Sequence, residues 1–337
     1  MGDMVDVLTI GTATYDVFLR SNLFKVLRDP EHLERMGFKT GEAECFAFGA
    51  KIDVEEPIFT PGGGAYNAGI TFARQGLKTA TFCRVGNDKL GEEISTSLRR
   101  ERISPFVIRD KKTGTGYSTI LLAPGGERTI LVYRGAASAF QKNDIPASKL
   151  SARWAYIAPG AMPFSVLFSA LSSLKKNKTK IAINPSRFYL DIKKSELYKA
   201  LELCDVVVVN REEASYMTDV KYTDERGIFK KFDGIIDGIA VVTDGQRGAI
   251  VSDGAYTYRA GIFEEKKIAD RTGAGDAFGS GFVAGLIEKN DIHFALRLAT
   301  ANATSVVEHV GATEGILTKK DFLKKRWGFL NLDVENV

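Results

Sequence analysis

The stretch "IADRTGAGDAFGSGFVAGL" at residues 268–286 passes from a strand-like apolar end into a helix by way of Gly273, Ala274 and Gly275. Apolar side chains at Phe278, Phe282, Val283, Leu286 and Ile287 recur with helical spacing, which puts Asp276 in the first turn with the glycines just ahead of it. The first N–H groups of a helix have no acceptor within it and, together with the helix dipole, attract negative charge. Glycine lets those amides approach a ligand closely. An ionised carboxylate is also at home there. A carboxylate beside an anion hole is the equipment for moving a phosphoryl group onto a hydroxyl. Asp276 would take the hydroxyl proton while the Gly273, Ala274 and Gly275 amides steady charge on the transferring oxygens. Taken alone, the stretch reads equally well as a tight turn followed by a helix-start acid.

Two other phosphate signatures fail. The chain contains no G-x-x-x-x-G-K-[ST] loop, and "GSGFVA" at 279–284 matches a dinucleotide fingerprint only inside the apolar helix, not at a strand-to-helix turn. Small residues there suit close helix packing.

Composition narrows the class. With 337 residues, 44% of them hydrophobic, the chain can bury one large α/β core, and 46 basic against 42 acidic residues (net charge +4) leave no nucleic-acid or membrane footprint. A small anionic ligand suits that balance. Cys45, Cys83 and Cys204 lie far apart without metal-ligand spacing, and His32, His293 and His309 are scattered. No secretory leader or membrane-spanning run is legible, so a cytoplasmic location is expected.

From residue 150 onward, strand-like "WAYIAP", "KIAINP", "DVVVVN" and "GIAVVTDG" alternate with helix-like segments at 164–176 and 193–203 and near 274 and 291. Such alternation predicts parallel strands with helical crossovers. "VVVV" at 206–209, with no polar alternation, predicts a strand covered on both faces. Residues 16–20, 45–60 and 117–133 read as strands without helices between them, with "PGGE" at 124–127 as a hairpin turn. They predict a small, mainly antiparallel sheet projecting from a single α/β domain as a lid, built from segments near 16–21, 45–60 and 115–135. Residues 22–44 read as a surface insertion with one short helix, and the basic tail after Thr318 as a solvated helix end.

A second glycine-rich stretch, "TPGGGAYNAGITFARQG" at 60–76, opens a helix that stops at Gly76. Gly63 and Gly64 would let backbone meet a ligand, and Asn67 offers a donor and an acceptor to neighbouring hydroxyls. Asp16, following the first strand, "VLTIGTATYD", is suited to accept hydrogen bonds from two hydroxyls of a sugar.

In order along the chain stand "GTATYD", "GGGAYNAG", "RVGNDKLGE" (84–92), "NREE" (210–213), "VVTDGQRGA" (241–249) and "DRTGAGDAF" (270–278). In this combination the chain resembles the ribokinase-like, or PfkB, family of carbohydrate and nucleoside kinases along nearly its whole length. The resemblance implies a three-layer α/β/α fold with a mainly parallel sheet and a β-sheet lid, and an ATP-dependent phosphotransferase using Mg²⁺. It makes Asp276 the base and Gly273, Ala274 and Gly275 the anion hole. It gives Asn210 and Glu213 to magnesium and phosphate through water, Thr243, Gly245 and Gly248 to the nucleotide loop, and brings Asn302 to the adenine. Asp16, Gly63, Gly64 and Asn67 fall at the acceptor.

There are departures. Arg271 follows Asp270 where the family often has Asp-Thr, which leaves potassium dependence open. Gly64 stands where ribokinases proper carry lysine, and "APG" at 158–160 where they carry glutamate. Arg187 in "NPSR" is a candidate for a phosphate or a substrate carboxylate. The acceptor is a sugar or, alternatively, a nucleoside, whose base Phe46, Phe48, Tyr117 and Tyr133 would enclose unless they simply pack the sheet. A catalytically silent sugar-binding relative is a further alternative. Lids of this kind stand alone or pair two subunits, so a monomer and a lid-mediated homodimer both remain open.

Overall fold

The structure is a computed structural model describing residues 5–38, 41–123, 128–146 and 150–336. Strand β1 (Val5–Gly11) lies in a large sheet, and β2 (Thr14–Arg20) leaves it. Strands β3 (Lys25–Arg28) and β4 (Glu42–Cys45) pair around α1 (Pro30–Arg35). The chain continues through β5 (Ile58–Gly62), α2 (Gly64–Arg74), β6 (Thr79–Gly86), α3 (Lys89–Arg100) and β7 (Ser104–Asp110), then β8 (Tyr117–Leu122) and β9 (Arg128–Tyr133). Next come β10 (Ala152–Ala158), α4 (Phe164–Lys176), β11 (Lys180–Ile183), α5 (Lys194–Leu201), β12 (Val206–Asn210), α6 (Arg211–Thr218), α7 (Glu225–Asp233) and β13 (Ile239–Thr243). Strands β14 (Ala249–Ser252) and β15 (Tyr256–Ala260), helices α8 (Ala274–Lys289), α9 (Ile292–Val307) and α10 (Lys319–Phe322), and β16 (Leu332–Asn336) complete it.

The ten-stranded sheet runs β16-β15-β14-β13-β12-β11-β10-β1-β6-β7, parallel from β13 to β7 and antiparallel beyond β13. Alternate side chains feed opposite layers. Leu8, Ile10, Ile157, Val207 and Val209 pack under α4 to α7, whereas Val7, Tyr156, Val208 and Val241 face α2, α8 and α9. Val206–Val209 are buried on both faces, as their unbroken apolar run predicts. The result is a three-layer sandwich.

Helices α8 and α9 approach closely because glycines line their seam. A Cβ on Gly281 would lie 3.0 Å from Ala299 Cα, and one on Gly285 2.5 Å from Ala295 Cα. This is the packing role expected of "GSGFVA".

A four-stranded sheet, β5-β2-β8-β9, projects from the body. It is antiparallel except where β2 runs parallel to β8. The expected lid strand over 45–60 is corrected: only Ile58–Gly62 belongs to this sheet, while Glu42–Cys45 pairs with β3 instead. The insertion holds its one short helix but adds that ribbon. The "PGGE" turn lies outside the described residues, although the strands flanking it do pair. The basic cluster of the tail lies in short, solvated helical turns as expected, with Lys319, Lys320, Lys324 and Lys325 exposed, but the chain then adds an unexpected strand, β16, which closes the large sheet against β15.

Gly285→Ala should therefore lower stability by about 1–3 kcal/mol through overpacking. A urea titration checks this: the midpoint drops with an unchanged slope, and an unshifted midpoint would refute the tight seam.

Candidate active site

The parallel strands end at one edge, where Gly11 is the register partner of Ala158 and Asn210 that of Thr243. Ligands of open α/β sheets bind outside such an edge. Here α2 and α8 meet. Asp276 Oδ2 accepts from Asn67 Nδ2 at 2.8 Å, and Oδ1 lies on the side of Gly64, where a Cβ would come within 3.2 Å of it and 2.7 Å of Ala158 Cβ. No side chain fits at Gly64 beside that carboxylate.

The turn ahead of α8 is anchored from within. Buried Asp270 accepts from Thr272 N and Oγ1 at 2.9 and 2.8 Å and from Gly311 N at 3.3 Å. Gly273 has φ 80°, and a Cβ there would strike Ala312. Gly275 is glycine for a different reason: a Cβ on it would meet nothing within 4 Å, so the backbone faces open space. Burial raises the Asp276 carboxyl above the usual range, a shift that the Asn67 bond only partly offsets.

Asp16 crosses to the site from the lid. It is 6% exposed, its Oδ2 occupies the space a Cβ on Gly62 would need, and burial pushes it up to about 6. The Ser118 and Thr14 hydroxyls pull the other way, while the negative charges of Asp276 and Asp270 add to the rise.

Three expectations are revised. The amides that open α2 are already spent: Gly64 N donates to Thr12 Oγ1 at 3.0 Å, and Ala65 N and Tyr66 N donate to Thr12 O. Gly64 thus permits close approach to Asp276 and offers no free amide to a ligand, while Gly63, at φ 97°, permits close approach to Thr12. Thr12, missed in the sequence, is signalled only by lying one residue past β1. Asn67 holds Asp276 with its amide nitrogen and keeps just Oδ1 unpartnered. Asn302 does not approach a nucleotide: it is fully buried, donating to Ala277 O and Thr71 Oγ1 and accepting from Leu317 N. Its neighbours Thr300, Ala303, Thr304 and Val307 turn the opposite face of α9 to a cavity of about 240 Å³.

That cavity also takes in Thr243, Gly245 and Gly248 as well as Ala274 and Gly275, joining the loop after β13 to the start of α8. Asp244, also missed, ties the loop to α6. It accepts from Arg211 Nη1 at 3.0 Å, Arg247 Nε at 2.8 Å and Tyr222 OH at 2.8 Å, and the Arg247 bond leads in holding its carboxyl down to about 2. Asn210 and Glu213 form a reciprocal cap: Asn210 Oδ1 accepts from Glu213 N at 2.8 Å and Glu213 Oε2 from Asn210 N at 3.0 Å. They line a separate cavity of about 350 Å³ with Arg187. Among the described residues no cluster of three metal-ligating side chains occurs. Glu213 Oε1, free of the cap, suits a hydrated Mg²⁺, which is usually held by one or two carboxylates and substrate phosphates.

Residues 39–319 match the model of the pfkB family carbohydrate kinases. The chain belongs to this family. It is similar to a ribokinase of Haemophilus influenzae (29% identical, covering 78% of this chain and 86% of the relative) and to a nucleoside kinase of Methanothermobacter thermautotrophicus (27%; 80% and 86%). It also resembles an adenosine kinase of Saccharomyces cerevisiae (26%; 81% and 85%). The kinase shares its fold with Arabidopsis thaliana ribokinase complexed with ribose and ATP, at TM-score 0.79 and 20% identity over 97% of this chain and 100% of the other. It is a kinase of a sugar or a nucleoside. No helix among its described residues is long and apolar enough to cross a membrane.

The raised Asp16 carboxyl has a consequence for this kinase. The folded form holds its proton more tightly than the unfolded chain does, so stability falls as pH rises from the ordinary carboxylate value, 3.8, to about 6. Asp16→Asn should raise ligand-free stability by about 2–3 kcal/mol at pH 8, with no gain at pH 3. Thermal melts at the two pH values check this, and equal shifts at both would refute it.

Proposed function

We propose that the protein moves the γ-phosphate of ATP to a hydroxyl of a sugar, with Asp276 as the base. The observation that carries this is a buried carboxylate of raised proton affinity, held by Asn67 and set beside the open backbone of Gly275 at a helix start.

ATP lies in the cavity between the Thr243–Gly248 loop and α9, its phosphates toward Ala274 and Gly275. Asp16 accepts hydrogen bonds from the acceptor's hydroxyls, and the lid sheet closes over them. Closure matters because water would otherwise compete for the phosphoryl group. The acceptor oxygen bonds to the γ-phosphorus as the bond to the β-phosphate oxygen breaks, the hydroxyl proton passes to Asp276 Oδ1, and ADP leaves. The Gly273 and Gly275 amides, with that of Ala274 once it leaves its 3.4 Å bond to Arg271 O, receive charge on the equatorial oxygens, each such donor contributing about 3 kcal/mol. Glu213, its carboxylate fixed by Asn210 N, would hold a hydrated Mg²⁺, which would supply neutralisation of phosphate charge.

Asp276→Asn should keep ATP affinity and lower kcat roughly a hundred- to ten-thousand-fold. Calorimetry with ATP and steady-state rates check this, and a folded variant with near wild-type kcat refutes the role. Because the base must be ionised, kcat falls with falling pH at a value above the ordinary carboxylate range. Acceptor KM rises separately below about pH 6 as Asp16 takes up its proton.

A nucleoside is the second reading. Tyr117 and Tyr133 pack against each other with ring centroids 5.6 Å apart and planes tilted by 48°, and their strand positions put them on the face opposite Asp16, which favours a compact acceptor. On the Asp16 face, however, Ile130 and Val132 are exposed at 40% and 55%, apolar surface that a nucleobase would cover. Sugars and nucleosides assayed for ADP release, with and without potassium, separate the readings. Saturable turnover of a free sugar is expected; turnover of adenosine with no sugar reverses the assignment.

A further inference from the structure

Resting on the reading of the 240 Å³ cavity as the donor site, we infer that Arg271 and Thr300 are this chain's own contacts to the nucleotide. The guanidinium of Arg271 takes phosphate oxygens, and the hydroxyl of Thr300 takes the nucleoside end.

Arg271 and Glu265 are the charged residues in the cavity wall among those described. Arg271 is half-buried, yet its side chain has no ion pair or hydrogen bond to any described residue, with Glu265 or otherwise. Partly buried cations without partners are uncommon, because lost hydration has to be replaced. The backbone at this position is fixed from both sides by the Asp270 bonds to Thr272 and Gly311, so Arg271 is presented, not trailing. It precedes the open Gly275 by four residues, at the start of α8, where the helix dipole favours an anion although Ala274 N already donates to Arg271 O at 3.4 Å. A guanidinium offers phosphate two parallel N–H donors, which no neighbouring lining residue supplies.

Thr300, on α9, is an independent observation. It is 2% exposed, it lines the cavity, and its Oγ1 is buried without any partner. A buried hydroxyl in that state is satisfied only when something enters the cavity. Ile262, Phe278, Ala303 and Val307 give the rest of that wall an apolar character, the seat for a flat heterocycle with one polar group to orient it. Asn302 is consumed inside the helix packing, and of the two α9 hydroxyls that line the cavity, Thr300 and Thr304, it is Thr300 whose oxygen is buried without a partner.

Calorimetry with ATP and with AMP, in the absence of acceptor, tests both ends and does not depend on turnover. Arg271→Ala should weaken ATP binding by about 10- to 100-fold while changing AMP binding far less, so the ATP-to-AMP affinity ratio collapses. Arg271→Lys should recover part of it. Thr300→Val should weaken ATP and AMP by the same factor and raise the ligand-free melting temperature, since the orphaned hydroxyl is gone; Thr300→Ser should restore binding. An unchanged ATP-to-AMP ratio in Arg271→Ala, or full binding by Thr300→Val, overturns the inference while leaving the donor site standing. Wild-type protein that binds no ATP removes the donor-site reading itself.

Discussion

The bond between Asn67 Nδ2 and Asp276 Oδ2 is the constraint around which the rest is arranged. It joins two helices 209 residues apart in the chain and holds a carboxylate in a spot that burial makes unfavourable for its charge. For the two helices to come that close, side chains must be missing between them. Gly64 leaves room beside Ala158 and Asp276, Gly63 beside Thr12, and Gly281 and Gly285 let α9 support α8 from behind. Glycine therefore serves two ends at this edge of the sheet: most positions are packed shut, and Gly275 alone among those on the turn into α8 and in its first turn opens onto empty space.

Two carboxylates with raised proton affinity, Asp16 and Asp276, face one small volume from two different elements, one on the lid and one on the body. Burial raises both, the charge of Asp276 adds to the rise at Asp16, and both are destabilising until ligand groups arrive to donate hydrogen bonds. Local strain of this kind is usual where a site has to be ready before its substrate binds. The apolar layers on both sides of the ten-stranded sheet supply the stability that offsets it.

The fold was legible because its signals are local. Val206–Val209 has no polar alternation, the segment 164–176 has one helical period, and Asp276 follows glycines at a helix start; each can be read without knowing a partner. The lid was legible only in part. Residues 45–57 are rich enough in strand-forming types to suggest pairing, yet the partner β2 offers runs out at Phe18–Ile58, and strand pairing is a property of two segments. The tail was legible only as far as its basic helical turns; beyond them Leu332–Asn336 carries no strand signal of its own, and it is the edge supplied by β15 that makes it the last strand.

By itself the sequence determined the class of architecture, the order of the helices and strands in the body, and the six short motifs that identify a kinase family, because periodicity and turn chemistry are written in neighbouring residues. Only the tertiary structure decided what each motif residue touches. It turned the amides before Asn67 inward onto Thr12, spent Asn302 on Ala277 and Leu317, made the Asn210 and Glu213 pair a helix cap, and left Arg271 and Thr300 without partners in one cavity. Hydrogen bonds at these distances are settled by which groups arrive from elsewhere in the chain, and a linear pattern does not record who arrives.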